Sequence, residues 1–227
     1  MRILGVAIAT WFWIAAVGAQ ASTSPIATPH ALCETAIVTA EYVERIPARL
    51  LAAIAEQETG RFDPATGTIR PWPWSINAEG AGQYFAAKHE AVAAVRALQA
   101  QGVRSIDVGC MQINLLHHPD AFLNLEEAFD PRRNALYAAR FLNALYTNHK
   151  DWPLAIGAYH SETPALGGAY RALVMARWQR PDFLRSVPAS AAYNAFPDTK
   201  TVYGAFASSG SAYGNAPPRL PGTAPKR

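Results

Sequence analysis

One segment, Pro47 to Gly60, constrains the fold most, because it reads as a helix that is apolar along one side and ends on a carboxyl group. Proline suits the first turn of a helix, and glycine suits a left-handed exit residue. Steps of four from Leu50 reach Ile54 and then Glu58, so Glu58 is expected to end the buried stripe. Glu56 comes two residues after Ile54, which places it about 200° around the helix from that apolar residue, so it is expected to face water.

The position of Glu58 gives it a possible chemical role. Apolar surroundings disfavour the charged form of a carboxyl group and raise its pKa. A general acid that works near neutral pH needs such a raised pKa. The alternative is an ordinary glutamate in the last turn of a helix, and this segment alone does not separate the two.

The first 21 residues have the pattern of a secretory signal segment. Arg2 supplies a positive start, residues 3–17 form an apolar run, and Ala19-Gln20-Ala21 is a small-x-small cleavage site. An uncleaved membrane anchor is the alternative, although the run is short for a span. Cleavage predicts a periplasmic or secreted protein that keeps no stable membrane span.

Composition limits the partners of the remaining chain. The formal net charge is only +3 and there is no long Lys/Arg run, so a nucleic-acid partner has little support. A weakly basic surface suits an anionic polymer such as a cell wall. Residues 183–227 are predicted to form a flexible tail, disordered from about residue 197, where Ala, Gly, Ser and Pro dominate.

The chain has two cysteines, Cys33 and Cys110. Outside the cytoplasm such a pair can form a disulfide, which here would join the first helix of the mature domain to the segment 108–111. Closing so long a loop would stabilise the fold by about 3–5 kcal/mol on the chain-entropy model. Two buried free thiols are the alternative.

Helical periodicity recurs along most of the chain and predicts a mainly α fold. The predicted helices span residues 31–45, 47–59, 87–101, 119–124 and 130–149, followed by helices that open at Asp151 and Thr163. Residues 61–73 are expected to form a loop, because Pro and Gly recur there. Residues 74–85 predict a short hairpin with a flexible tip at 78–82, and residues 103–108 an extended segment.

Three segments stand out in order along the chain: Glu58-Thr59-Gly60, Gly109-Cys110-Met111-Gln112-Ile113 and Ala158-Tyr159-His160-Ser161-Glu162. They resemble the motifs of the catalytic domain of soluble lytic transglycosylases, relatives of goose-type lysozyme. The family motifs are Glu-Ser-Gly at a helix end, Gly-Leu-Met-Gln-Ile, and Ala-Tyr-Asn-Ala-Gly. This chain departs from them at Thr59, which keeps a hydroxyl, at Cys110, which replaces an aliphatic residue, and at His160-Ser161.

The resemblance implies a mainly α, lysozyme-like domain over residues 30–182 with a small β-hairpin insertion. It implies cleavage of the β-1,4 bond between N-acetylmuramic acid and N-acetylglucosamine in peptidoglycan, with no metal or organic cofactor. Glu58 would protonate the glycosidic oxygen and then, as a base, activate the muramic C6 hydroxyl, which leaves a 1,6-anhydro sugar. Tyr159 would orient that carboxyl, Met111 and Gln112 would line the saccharide groove, and Thr59 would hydrogen-bond nearby.

Several of these residues have other interpretations. Met111 is an ordinary core residue type, and a buried tyrosine usually finds a hydrogen-bond partner for structural reasons. Asp107 is the main candidate for a second carboxylate, which would allow a hydrolytic reaction. Two roles are open for the aromatic residues Trp72, Trp74 and Tyr84. They are expected either to stack on sugar rings or to pack the hairpin onto the domain. Other residues are weaker candidates for a functional role. Glu79 and Glu162 are acids in predicted loops, and the His117-His118 pair does not have the spacing of metal ligands.

Two other functions stay open. One is a hydrolytic muramidase, that is, a lysozyme. The other is a weakly active wall-binding subunit of a secretion, pilus or flagellar machine, which the tail would recruit.

Overall fold

The fold is taken from a computed structural model that describes residues 27–180. The predicted signal segment and the predicted tail lie outside the described residues. The helices are α1 (Pro29–Glu44), α2 (Leu50–Thr59), α3 (Lys88–Ala100), α4 (Leu125–Ala128), α5 (Pro131–His149), α6 (Trp152–His160) and α7 (Pro164–Trp178). The strands are β1 (Arg61–Asp63), β2 (Thr68–Arg70), β3 (Ser75–Ala78), β4 (Ala81–Tyr84), β5 (Ile106–Val108) and β6 (Ile113–Asn114). The fold is mainly α with a small antiparallel sheet, as predicted.

Five helices, α1, α2, α5, α6 and α7, pack around one hydrophobic cluster. Leu50, Leu51 and Ile54 of α2 are fully buried in it, which confirms the apolar stripe read from the sequence. Burying one such side chain contributes about 1.5–3 kcal/mol, so this helix is a main source of cohesion. None of the helices within residues 27–180 is long and apolar enough to span a membrane.

The first turn of α2 differs from the prediction. The helix begins at Leu50 rather than Pro47, after Arg49 in the left-handed region at φ 67°. The backbone N–H groups of Arg49 and Ala52 donate to the Glu41 carboxylate of α1, at 2.9 and 3.1 Å. A side chain from a neighbouring helix therefore caps α2. The sequence around α2 does not predict that Glu41 is its capping residue.

The exit of α2 also follows a different rule from the predicted one. Gly60 has φ −59°, so it is not a left-handed cap. A Cβ at this position would collide with the Glu56 carbonyl oxygen and would approach Ile69 Cγ2 to 2.6 Å. Glycine is needed there because the backbone passes close to its neighbours.

The prediction that Glu56 faces water is wrong. Its side chain is buried beneath α7, where both carboxylate oxygens accept from Arg180 Nη2 at 2.8 and 2.6 Å. Arg177 Nε lies 4.0 Å from Glu56 Oε1. The α2 helix is covered on more than one side, so the periodicity of its apolar residues does not reveal which polar positions are exposed.

The sheet has the strand order β4-β3-β5-β6, with every neighbouring pair antiparallel. The hairpin predicted over residues 74–85 is confirmed as β3–β4, and its tip consists of Glu79 and Gly80, both at positive φ. Residues 61–73 are not a loop throughout, because β1 and β2 form a second hairpin there.

Side chains alternate between the two faces of the sheet. One face carries Ile76, Ile106 and Val108, which join a second hydrophobic cluster with α3 and α4. The opposite face therefore carries polar residues, listed here in strand order: Ser75, Asn77, Asp107 and Asn114. The sheet thus has a dry face and a polar face.

Most helix starts in the second half agree with the sequence. Asp130 and Asp151 cap α5 and α6 through their carboxylates, and prolines lie in the first turns of α5, α6 and α7. The short helix predicted at residues 119–124 is wrong. It lies one turn later as α4, because the Asn124 side chain accepts from Glu127 N at 2.9 Å and starts the helix there.

The predicted disulfide between Cys33 and Cys110 is present, with a Cα–Cα distance of 5.8 Å. It joins α1 to the turn between β5 and β6. This turn carries the second of the three motifs, so the crosslink fixes that motif against the helical core.

Candidate active site

Glu58 lies in the last turn of α2 and is half-buried. The Tyr170 hydroxyl, from α7, donates to Glu58 Oε1 at 2.5 Å. Burial, and next the charge of Glu58, raise the pKa of Tyr170 well above its ordinary value. Tyr170 therefore stays protonated and remains a hydrogen-bond donor to the carboxylate.

Close packing of α6 and α7 brings Tyr170 to this position. Gly157 and Gly167 face each other, and a Cβ on Gly157 would lie 3.0 Å from the Gly167 carbonyl oxygen. At the end of α6, the His160 ring stacks on the Tyr170 ring, with centroids 4.7 Å apart and planes at 6°. His160, one of the residues that depart from the family motifs, thus lies directly against the phenol that donates to Glu58.

Tyr159 is near the carboxyl but has a different hydrogen-bond partner. Its hydroxyl donates to the Met111 carbonyl oxygen at 2.9 Å. Burial, followed by the charge of Glu58, raises its pKa well above the ordinary value. Tyr159 therefore links α6 to the second motif, while the hydrogen bond to Glu58 comes from Tyr170.

A buried asparagine holds the turn between β5 and β6. Asn134 of α5 accepts from Met111 N at 2.8 Å and donates to the Val108 and Ala128 carbonyl oxygens at 3.0 and 3.1 Å. Gly109, at φ 79°, passes so close that a Cβ would collide with the Asn134 side chain. One side chain thus fixes the turn and accounts for its glycine.

Gln112 takes a left-handed conformation in the same turn, at φ 48°. This conformation costs a non-glycine residue about 1–3 kcal/mol and is concentrated at functional sites. The Gln112 amide donates to the Gly109 carbonyl oxygen at 3.0 Å and to Ser75 Oγ at 3.2 Å. These bonds tie the turn to β3.

The predicted substrate-binding residues form hydrogen bonds within the protein itself. The Thr59 hydroxyl lies 3.0 Å from the Cys110 carbonyl oxygen and accepts from Trp72 N at 3.2 Å. Met111 is fully buried, and Gln112 and Tyr159 are each 8% exposed. Contact between these side chains and a saccharide stays a prediction.

Asp107 lies in the middle of the polar face of the sheet. Its register partners are Asn77 and Asn114, and Asn114 Nδ2 donates to Asp107 Oδ1 at 2.8 Å. Its charge contributes to the raised pKa of Tyr159, as does that of Glu58. The charges of Asp107 and Glu58 therefore both act on the Tyr159 hydroxyl.

The aromatic residues of the insertion divide between packing and exposure. Trp72 contacts the His30 ring edge-on at 4.8 Å and donates from Nε1 to the Phe85 carbonyl oxygen at 2.8 Å, so it packs the insertion onto α1. Tyr84 is 45% exposed.

The sequence patterns do not single out Tyr170, which lies on the buried side of α7. Its hydroxyl group is the feature that distinguishes it from Val174, a buried aliphatic residue on the same side of α7. A buried hydroxyl group does not by itself predict that its hydrogen-bond partner is Glu58, 112 residues earlier in the chain.

Comparison with known proteins identifies the family. A family model, the transglycosylase SLT domain, matches residues 35–169, which is more than half of the chain. Searches of curated proteins and of solved structures returned no match. The matched stretch runs from α1 into α7 and ends one residue before Tyr170. The chain therefore belongs to the transglycosylase SLT domain family, whose enzymes act on peptidoglycan.

Proposed function

We propose that this protein is a periplasmic or secreted lytic transglycosylase that cleaves the β-1,4 bond between N-acetylmuramic acid and N-acetylglucosamine without water. The observation that carries the proposal is the half-buried Glu58 carboxyl, which accepts a hydrogen bond from the Tyr170 hydroxyl at 2.5 Å. A positioned carboxyl group is what general acid–base catalysis requires.

In the first step the Glu58 carboxylic acid gives its proton to the glycosidic oxygen. The bond from that oxygen to muramic C1 breaks, and the N-acetylglucosamine product leaves with a new hydroxyl group. The substrate's own N-acetyl oxygen stabilises the positive charge at C1. A second protein carboxylate is then not required, in contrast to most glycosidases.

In the second step the Glu58 carboxylate takes the proton of the muramic C6 hydroxyl. The C6 oxygen attacks C1 and forms the 1,6-anhydro ring, which regenerates the carboxylic acid. Tyr170 supports both steps, because its neutral phenol donates to Glu58 Oε1 and holds the carboxyl group in one orientation.

A second candidate function is hydrolysis by a muramidase reaction. It is favoured by Asp107, a carboxylate on the polar face of the sheet whose charge reaches Tyr159. A carboxylate across a groove from the acid can activate water. Hydrolysis would leave a reducing muramic end in place of the anhydro ring.

The test is product analysis of digested sacculi by mass spectrometry, with wild type, Glu58→Gln and Asp107→Asn side by side. We expect anhydro-muramyl ends from wild type and from Asp107→Asn, and none from Glu58→Gln. Reducing muramic ends that disappear in Asp107→Asn would identify a hydrolase instead. Wild type that binds sacculi but releases nothing would favour a wall-binding subunit of a secretion, pilus or flagellar machine.

A further inference from the structure

An arginine held between two aromatic rings lies three residues after Glu58. The Arg61 Cζ atom is 4.4 Å from the centroid of the Trp72 ring and 5.0 Å from the centroid of the Tyr84 ring. Both distances are within the range of a cation–π interaction. The two rings therefore fix a half-buried guanidinium in place.

Arg61 has no acidic partner among residues 27–180. Its cross-strand neighbour Arg70 is different, because it pairs with both Glu34 and Asp63, at 2.6 and 2.7 Å. Charged groups that leave water are usually paired with an opposite charge. Aromatic faces stabilise the Arg61 cation but leave its N–H groups without an anion to bind.

The rings that hold Arg61 are anchored next to the candidate active site. The Trp72 backbone N–H group donates to the hydroxyl of Thr59 at 3.2 Å, and Thr59 directly follows Glu58 in the sequence. Tyr84 pairs with Ser75, whose Oγ accepts from the Gln112 amide. Three residues of chain separate the Glu58 and Arg61 Cα atoms by at most about 11 Å. The Arg61 backbone therefore lies close to the candidate active site, and the two rings that hold its side chain are linked to residues of that site.

We propose that Arg61, held by Trp72 and Tyr84, binds a carboxylate of the peptidoglycan stem peptide. The inference rests on the proposed function. The stem peptide is attached to the same muramic acid residue whose C1 reacts, so its carboxylates lie close to the cleaved bond. A guanidinium offers two parallel N–H groups to a carboxylate, and its fixed position reduces the entropy lost on binding.

The peptide carboxylate is bound equally before and during bond cleavage, because it does not react. Such binding lowers KM and leaves kcat unchanged. Arg61 would thus favour strands that carry anionic stem peptides over strands that do not.

The test compares native glycan strands with the same strands after carbodiimide and ammonia have converted their carboxylates to amides. We expect amidation to raise the KM of wild type about tenfold, the equivalent of one charge-assisted hydrogen bond. Arg61→Gln should show the raised KM already on native strands, with no further change on amidated strands and an unchanged kcat. Arg96→Gln, an exposed arginine of α3 paired with Glu126, is the matched control and should behave as wild type.

Arg61→Lys keeps a cation beside the two rings. It is a second test of the proposal that still applies where Arg61→Gln does not fold. We expect its KM on native strands to lie between those of wild type and Arg61→Gln, with thermal unfolding close to that of wild type. The proposal is overturned if amidation raises the KM of Arg61→Gln and of wild type by the same factor. It is also overturned if Arg61→Gln lowers kcat equally on both kinds of strand.

Binding without turnover separates this inference from the proposed function. The Glu58→Gln variant should bind native strands about tenfold more tightly than amidated ones, and the added Arg61→Gln change should remove that preference. If wild type releases no anhydro ends but this preference is present, the proposed function fails and the subsite stands. If anhydro ends appear without the preference, the subsite fails alone.

Discussion

Two glutamates that are two residues apart on α2 have opposite surroundings. Glu56 is 4% exposed, and both of its oxygens accept from the Arg180 guanidinium. Glu58 is half-buried and accepts from a phenol, Tyr170. Tyr170 lies on α7 and Arg180 lies two residues after its end, so one segment of the chain supplies both partners.

The difference lies in the chemistry of the donor. A guanidinium is always protonated, so it ties Glu56 into a structural ion pair that fastens α7 to α2. A neutral phenol fixes the direction of Glu58 but adds no permanent charge beside it. One carboxyl group is thus held in an ion pair, and the other has the surroundings that the proposed proton transfer requires.

The largest expected effect tests this division directly. Glu58→Gln removes the proposed proton donor and should lower kcat about 10²–10⁴-fold with unfolding unchanged. Glu56→Gln should keep most of the turnover when assayed below its unfolding temperature. Release of anhydro-muramyl ends measures the turnover of each variant, and circular dichroism measures its unfolding temperature. Equal loss of turnover in the two variants would contradict the assignment.

The next effect is on stability. Glu56→Gln leaves Arg180 and Arg177 beside a buried amide. Removing one partner of a buried pair costs about 3–5 kcal/mol, and the partial exposure of Arg180, 40%, places this case near the lower end. Urea unfolding measures the change. Glu44→Gln breaks the more exposed pair with Arg140 and is the control, with an expected loss below about 1 kcal/mol. A similar loss in both variants would mean that Glu56 has no special role.

A third carboxyl, at the other end of α2, sharpens the comparison through its pH dependence. Burial raises the pKa of Glu41 to about 7 from 4.5, although the N–H groups of Arg49 and Ala52 act in the opposite direction. Between these two values the folded protein keeps a proton that the unfolded chain releases. The contribution of Glu41 to stability should therefore be fully present below about pH 4.5 and should be lost as the pH rises to about 7, by about 3 kcal/mol in total.

Urea unfolding of wild type and Glu41→Gln at several pH values checks this effect. The variant has no proton to release, so its stability should lose this component of the pH dependence. A wild-type stability that rises between pH 4.5 and 7, with no difference in slope from Glu41→Gln, would show that the cap stays charged in the folded protein.

The smallest expected effect separates the two tyrosines. Tyr170→Phe removes the hydrogen bond to Glu58, and a bond to a charged group contributes about 1.5–3 kcal/mol. If that contribution acts on the reaction, kcat falls about tenfold or more while KM changes little. Tyr159→Phe removes the bond to the Met111 carbonyl oxygen and should change stability more than kcat. The reverse pattern would make Tyr159 the residue that orients Glu58.

The sequence determined the local features of this protein. The apolar stripe of α2, the aspartate caps of α5 and α6, the β3–β4 hairpin and the position of Glu58 after Ile54 follow from periodicity and turn chemistry, which act over a few residues. The motif resemblance identified the family, and a single cysteine pair behind a predicted secretory signal indicated the disulfide.

The tertiary structure decided which partner each polar group has. Glu56 is buried by α7, Glu41 caps a helix to which it does not belong, and Tyr170 reaches Glu58 across 112 residues of sequence. Helical periodicity records only that one side of a helix is apolar. It does not record how many neighbours cover the helix or which side chains they bring, and these contacts give Glu56 a guanidinium partner and Glu58 a phenol partner.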